Sequence, residues 1–401
     1  MAQELSAEWI LAAWGLGAVL AMAGARTYGE AAVMIPRSGG EYRYLSELLH
    51  PALGYLAGWA SLLVGFSAPM AISAFAAAAF AFAVLGSGDA RIGATALIAT
   101  LTVFHAIGLR LSKWTQNSLV VVKGLLILAF VALGLSLGQT QWPTWVPPSQ
   151  QNSLALPFAT SLFFVAYAFS GWNAAAYAAE EFRAPRRDVP RAMLIGCGLV
   201  GVTYVLVNWV LVANLTPERA RVVFEYEEAR VTLGHLVARD FLGDFGARAT
   251  SLGIAVVMVS SCSAMLLVGP RVYAEMARDG FLPSFLRGEP GAPPRAAVFL
   301  QGVLAIALLY LHSISELLSN VAGILVFFSA LVAVGLFVAK RTRPNLDPPR
   351  AGALVAAAIY TASSLWMLYN AFKTHTGLFP WIAVATGAAL IGYALTARRA
   401  S

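Results

Sequence analysis

The sequence predicts an all-α membrane protein whose chain crosses a bilayer about eleven times. Hydrophobic residues make up 59% of its 401 positions and charged residues 12%, with a mean hydropathy of +0.71, far from the average of a soluble domain. Apolar runs near spanning length recur along the whole chain. Lys and Arg are unevenly shared between alternate connections of those runs, as expected of a chain threaded back and forth through a membrane.

The first run, Trp9–Ala25, follows a stretch without basic residues and lacks a cleavage site, so it reads as a retained span rather than a signal peptide. The second, Leu53–Leu85, has 33 residues, more than a hydrocarbon core of roughly 30 Å needs. It must tilt, bend at Pro69 or protrude, or else count as two short segments. Ile92–Leu109 and Leu119–Leu137 follow, the latter carrying Lys123 among apolar neighbours. Leu154–Ala179 is long enough to cross but is interrupted at Phe169, Ser170 and Gly171. Ala192–Ala213, Ala249–Leu267, Ala296–Leu311, Leu317–Val338, Ala351–Leu368 and Leu378–Leu395 complete the set. The long 214–248 connection interleaves charges with Val223, Phe224, Leu233 and Phe241, and reads either as short external helices over a vestibule or as a surface excursion.

One side of this threading receives nineteen Lys and Arg, from Arg26, Arg37 and Arg43 to Arg398 and Arg399, and the other seven. The positive-inside rule places the nineteen, and the C-terminus, in the cytoplasm, which leaves residues 1–8 outside. The net charge of +7 is thus a feature of topology and not a nucleic-acid footprint. Cys197 and Cys262 lie singly in different spans and the five histidines are scattered, so no disulfide framework and no zinc site is expected. No GK[ST] phosphate loop and no assignable Ser/His/Asp set occurs, so neither ATP-driven pumping nor enzyme chemistry is indicated, and no cofactor is expected.

Two features point to a solute pathway. Hydrocarbon cannot satisfy freed backbone groups, so the break at 169–171 is tenable only against protein or a wet cavity, and transporters use such breaks to hold solutes. Its unwound carbonyls would accept hydrogen bonds from a substrate ammonium. Lys123 is a lone cation within a span, at about 2.5–3.5 kcal/mol on insertion scales, and such residues are functional candidates by default. The alternative is that Lys123 lies near the cytoplasmic end and snorkels out. Ser260, Ser261 and Ser263 read as helix-packing hydroxyls, and Trp172 and Asn173 as residues that pack and hydrogen-bond near the break. Glu30, Glu41, Glu180, Glu181, Arg271 and Asp279 fall in loops, either as solvated charges or as ion pairs latching a gate.

Three passages carry a family resemblance: TYGEAAVMIPRSGGEYRYLSE at 27–47, AYAFSGWNAAAYAAEEFRAPRRDVPRA at 166–192, and GPRVYAEMARDGFLPSFL at 269–286. The chain resembles the amino acid–polyamine–organocation superfamily over nearly its whole length, and bacterial amino acid permeases in particular. The resemblance implies a LeuT-like inverted-repeat transporter fold, with these eleven segments equivalent to helices two to twelve of a twelve-helix permease. It would give an incomplete first repeat over 9–138, a second repeat over 154–339 and two C-terminal helices over 351–397. The family's first helix, which supplies the substrate-carboxylate half of the site, is absent from the sequence as it stands. The resemblance further implies a substrate site at Tyr167, Ala168, Phe169, Ser170 and Gly171, with Tyr167 closing over the solute; apart from the resemblance, Tyr167 reads as a packing tyrosine. It suggests that Lys123 couples transport to protons or stands in for the sodium ion of sodium-coupled relatives. The expected function is secondary transport of an amino acid or related amine across the cytoplasmic membrane by alternating access, proton-coupled or by exchange. A non-transporting pseudo-permease that senses solute or serves as a partner subunit is the alternative that the absent helix raises.

Overall fold

The computed structural model describes residues 1, 4–143, 154–215, 233–289 and 294–374, with 387, 390 and 392–394 beyond them. The expected segment Leu378–Leu395 therefore lies mostly outside the described residues, as does 216–232 of the long connection.

Helix α1 (Ala7–Met34) is followed by the short α2 (Glu41–Leu48) and by α3 (Pro51–Ala60), which starts with Pro at its first turn and the His50 ring accepting from Ala52 N–H at 3.2 Å. A π-turn, Ser61–Gly65, joins α3 to α4 (Ser67–Leu85), so Pro51–Leu85 forms one apolar span of 35 residues. The irregularity in this span lies before Pro69. Proline cannot donate to the Gly65 carbonyl, and the strain is taken up one turn earlier, where Phe66 N–H reaches back five residues to Ser61 O at 3.1 Å. The Ser67 hydroxyl covers the Leu62 carbonyl at 3.0 Å.

Helix α5 (Ala90–Ile107) is capped by Asp89, and α6 (Leu109–Leu137) carries Lys123 midway along its length. The interrupted segment is α7 (Ala155–Ala168), a turn, and the four-residue α8 (Ala174–Tyr177). Then come α9 (Pro185–Ala213) and α10 (Leu233–Arg278), the latter broken at Gly243 with φ of 67° so that its first ten residues form a separate leg. This leg is the described part of the 214–248 connection, and it is helical. Helix α11 (Arg295–Leu311), α12 (Ile314–Thr342) with a Ser313/Glu316 capping box, and α13 (Ala351–Thr374) complete the described chain. Among the described residues, eight helices are long and apolar enough to span a membrane, and α7 and α11 are shorter apolar helices.

The interior is built on close approach of small residues, as in membrane bundles generally. Helix α1 lies along α9, and α13 and α12 pack with them around Ala25, Tyr28, Phe169, Cys197 and Ala333. A second body of packing joins α4, α5, α10 and α11 around Ala68, Ala74, Ile98, Leu266 and Ala305. Phe328 of α12 touches both.

Loops rich in arginine gather at one end. Arg43 Nη2 meets Glu275 Oε2 at 3.1 Å and Asp279 Oδ2 at 3.0 Å, tying α2 to the end of α10. The Tyr42 hydroxyl donates to the same Asp279 oxygen at 2.5 Å. Arg271 pairs with Glu181 at 2.5 Å, Arg350 N–H donates to Glu30 at 2.9 Å, and Arg343 donates to the Leu49 carbonyl at 2.9 Å. Glu30, Glu181, Arg271 and Asp279 are thus ion-paired or hydrogen-bonded and not merely solvated. Arg43 is held as a cation: burial opposes its charge, and the Asp279 and Glu275 carboxylates outweigh that cost. Arg43→Ala leaves the buried Glu275 with only the half-exposed Arg278, and is expected to destabilise the protein by about 3 kcal/mol, read as a lowered midpoint of thermal unfolding in detergent. An unchanged midpoint would mean that this pair does not hold α2 to α10.

Candidate functional site

Three features make the break at 169–173 locally. Helix α7 ends at Ala168; Ser170 N–H turns back to the Tyr167 carbonyl at 2.8 Å; and Gly171 takes φ of 102°, a left-handed conformation that L side chains rarely adopt. The chain resumes when Ala174 N–H bonds the Gly171 carbonyl at 3.0 Å. The Ala168 carbonyl accepts from the Tyr204 hydroxyl of α9 at 3.0 Å. Among the described residues, the carbonyls of Phe169 and Ser170 accept no hydrogen bond from the protein. Leaving a polar group unmade at a buried site costs about 1–3 kcal/mol, so these two oxygens are acceptors awaiting a donor from water or solute.

The residues that carry them line a cavity of about 400 Å3, whose wall includes Ala168–Asn173 of the break, Lys123 and Gln116 of α6, Ser260 of α10, Phe328 of α12 and Glu41 of α2. Lys123 and the break thus share one chamber, although 44 or more residues separate them. Lys123 and Gln116 lie seven residues apart, hence on one face of α6. Lys123 lies midway along α6 and lines the cavity, as the fifth residue of the apolar run that begins at Leu119. Beside it, the buried Gln116 Oε1 and Ser260 Oγ have no hydrogen-bond partner among the described residues. Ser261 bonds the Val257 carbonyl at 3.2 Å, and Ser263 meets the His105 ring at 2.9 Å, so these two hydroxyls serve packing, as expected, and Ser260 stands apart.

The side chains around the break divide the labour. Phe169 is buried and packs its ring against Tyr204 and Trp14. Trp172 stands edge-on to Tyr28 at 4.8 Å and to Tyr360 at 6.1 Å, and Asn173 donates to Glu41 at 2.7 Å; both also line the cavity. Tyr167 packs against two apolar clusters, one around α4, α5 and α10 and one around Leu162, Phe163 and Met367, and its side chain is not on the cavity wall in this conformation.

Two features were not visible in the sequence. Tyr204 carries no local mark of its role, because its hydroxyl meets Ala168 across 36 positions of chain. Glu41 is no latch partner: it is buried, and its carboxyl accepts from Tyr28 at 2.9 Å, from Asn173, and from Tyr177. The available signal was the Gly39-Gly40 pair just before it. Gly40 has φ of 53°, and a Cβ there would fall 2.2 Å from the Tyr177 ring, so the pair lets α8 close down on α2.

A helix broken over a cavity inside a bundle of apolar helices is an arrangement in which transporters hold solutes. The chain belongs to the amino acid permease family, whose pattern matches residues 2–394. Among its relatives are the b(0,+)-type amino acid transporter 1 of Mus musculus, 26% identical over 88% of this chain and 73% of that protein, and the Asc-type amino acid transporter 1 of the same species, 26% identical over 90% and 69%. The serine/threonine exchanger SteT of Bacillus subtilis (strain 168) is 25% identical over 85% of this chain and 77% of its own length. The family and these relatives are transporters and not enzymes, and the protein is an amino acid transporter with the all-α fold of that family.

Two glycine variants separate strain from crowding. Gly171→Ala adds a Cβ that meets nothing within 4 Å, so it is expected to cost only the left-handed strain of about 1–2 kcal/mol, while Gly40→Ala must cost more because the Tyr177 ring is in the way. Thermal unfolding of both variants side by side checks the order; equal losses would refute the docking of Tyr177 on Gly40.

Proposed function

We propose that the protein moves a small amino acid or related amine across the cytoplasmic membrane by alternating access, by exchange or with proton coupling. The observation that carries this reading is the pair of unpartnered carbonyls of Phe169 and Ser170, residues that line the same cavity as Lys123. An α-ammonium group has three N–H donors and matches acceptors that an intact helix would have used internally. Ala168, Ser170 and Gly171 form the lip of this subsite, with Phe169 and Tyr204 bracing it. Tyr167 would come over the solute as α7 and α8 rearrange, since it is the last residue but one before the break. The presence of a serine/threonine exchanger among the relatives supports exchange of small neutral amino acids.

Lys123 is the proposed coupling group. It shares the chamber with the orphaned Gln116 and Ser260 oxygens, which would hydrogen-bond an ammonium, so a proton carried on Lys123 has partners in the cavity. The crossing order would place the arginine-rich end and the C-terminus in the cytoplasm under the positive-inside rule, with the two repeats at 9–138 and 154–339. Lipid on the outer faces and the amino acid in the cavity are the partners of this reading.

Saturable counterflow of radiolabelled amino acid into proteoliposomes tests it. Tyr167→Ala is expected to lower uptake at least tenfold with expression intact, and Lys123→Gln to flatten the pH profile of the parent. Solute binding with no flux at any pH would replace the transporter by a sensor or partner subunit, and identical pH profiles would remove Lys123 from coupling.

A further inference from the structure

Glu41 is the acidic side chain among the described residues of the cavity wall, and it is 4% exposed. Three donors from two other elements converge on its carboxyl: the Tyr28 hydroxyl of α1 and the Asn173 amide on Oε1, and the Tyr177 hydroxyl of α8 on Oε2. The other titratable groups facing it are Tyr44 of its own helix and Tyr360 of α13. No Lys, Arg or His pairs with it among the described residues. Arg43, two positions away, is committed to Glu275 and Asp279. Glu41 is therefore enclosed by neutral groups, unlike Glu30, Glu181 and Glu275, each of which has an arginine.

A carboxylate in such a place loses its hydration and recovers only what neutral donors return. Burial pushes the carboxyl up from the usual carboxylate range, and the hydrogen bonds from Tyr177, Tyr28 and Asn173 oppose that shift without cancelling it. The neutral acid is also satisfiable, because a tyrosine hydroxyl accepts as well as donates and Tyr177 can receive the acid proton. Protein donors already reach both oxygens, and a proton can add to such a carboxyl without displacing them all.

We propose that Glu41 is a proton-binding site of the permease, neutral while α8 is docked on α1 and α2, and deprotonated when α8 leaves and water reaches the carboxyl. The inference rests on the alternating-access reading above. On undocking, the carboxyl O–H bond breaks heterolytically, the electron pair stays on the carboxylate oxygen, and the proton passes to water. A group that holds its proton more tightly in the docked form stabilises that form at low pH, and the contribution is lost as pH rises through the docked-form value. The docked seal at the arginine-rich end thus opens more readily in alkaline medium, and each opening delivers a proton to that side.

Infrared difference spectra of the purified full chain, titrated with base, read the site directly. The expected result is a protonated-carboxyl carbonyl band that disappears on raising the pH above the ordinary carboxylate range, and that is missing from Glu41→Gln. Tyr177→Phe removes a donor to the ionised form and is expected to move the midpoint up by roughly one unit, a tenfold gain in proton affinity. A purely structural role for Glu41 would leave no titrating band for either variant to alter. Absence of the band in the parent, or a band that survives in Glu41→Gln and ignores Tyr177→Phe, overturns the proposal. Counterflow in the same preparation separates the two readings: flux without the band sinks only the proton site, and the band without flux supports the site while sinking the transport assignment.

Discussion

A backbone carbonyl at membrane depth has no solvent to bond, and much of this bundle is arranged around two carbonyls left open at Phe169 and Ser170. They persist because the chain before and after them is held from outside the break. Tyr204 of α9 takes the Ala168 carbonyl, the Phe169 ring is wedged against Tyr204 and Trp14, and Trp172 stands against Tyr28 and Tyr360. Helices α1, α9 and α13 thereby act as the rigid frame for an unwound segment. The frame in turn depends on alanine and glycine at the contacts, which let the helix backbones come close enough for aromatic rings to reach across.

At the arginine-rich end, the eight-residue α2 joins two different kinds of chemistry. Through Arg43 it is bound to α10 by charge, in a cluster with Glu275 and Asp279. Through Glu41, two positions earlier, it is bound to α1 and α8 by hydroxyl and amide donors alone. The first attachment persists as long as the charges do. The second depends on keeping water away from one carboxyl, so the side of α2 that faces the broken helix is the side where hydration changes the balance. A cavity above and a short helix with these two attachments below give the broken segment something firm to move against.

Lys123 and the break were each legible as anomalies, because a cation in an apolar run and a Ser-Gly step within a span both violate the local rule for a lipid-facing helix. The three motif passages were legible through their resemblance to a known family. The excess length of Leu53–Leu85 announced an irregularity but not its place: the sequence pointed to Pro69, and the chain relaxed a turn earlier, where a π-turn could shed the unmade hydrogen bond. The loop charges carried no sign of which would pair, and Glu41 looked like its acidic neighbours until its surroundings proved to be four tyrosines and an asparagine.

What the sequence determined by itself is whatever depends on neighbours in the chain: helical spans from apolar length, the break from Ser170-Gly171, and membership of a family from ordered motifs. What only the tertiary structure decided is which polar atoms are left without partners. Hydrogen bonding and burial at Tyr204, Gln116, Ser260 and Glu41 are set by residues tens to hundreds of positions away, and no local pattern records them. The cost of an unpaired group in an apolar medium is felt only once the helices have packed, which is why the proposed solute site at Phe169 and Ser170 and the proposed proton site at Glu41 owe their character to the tertiary structure.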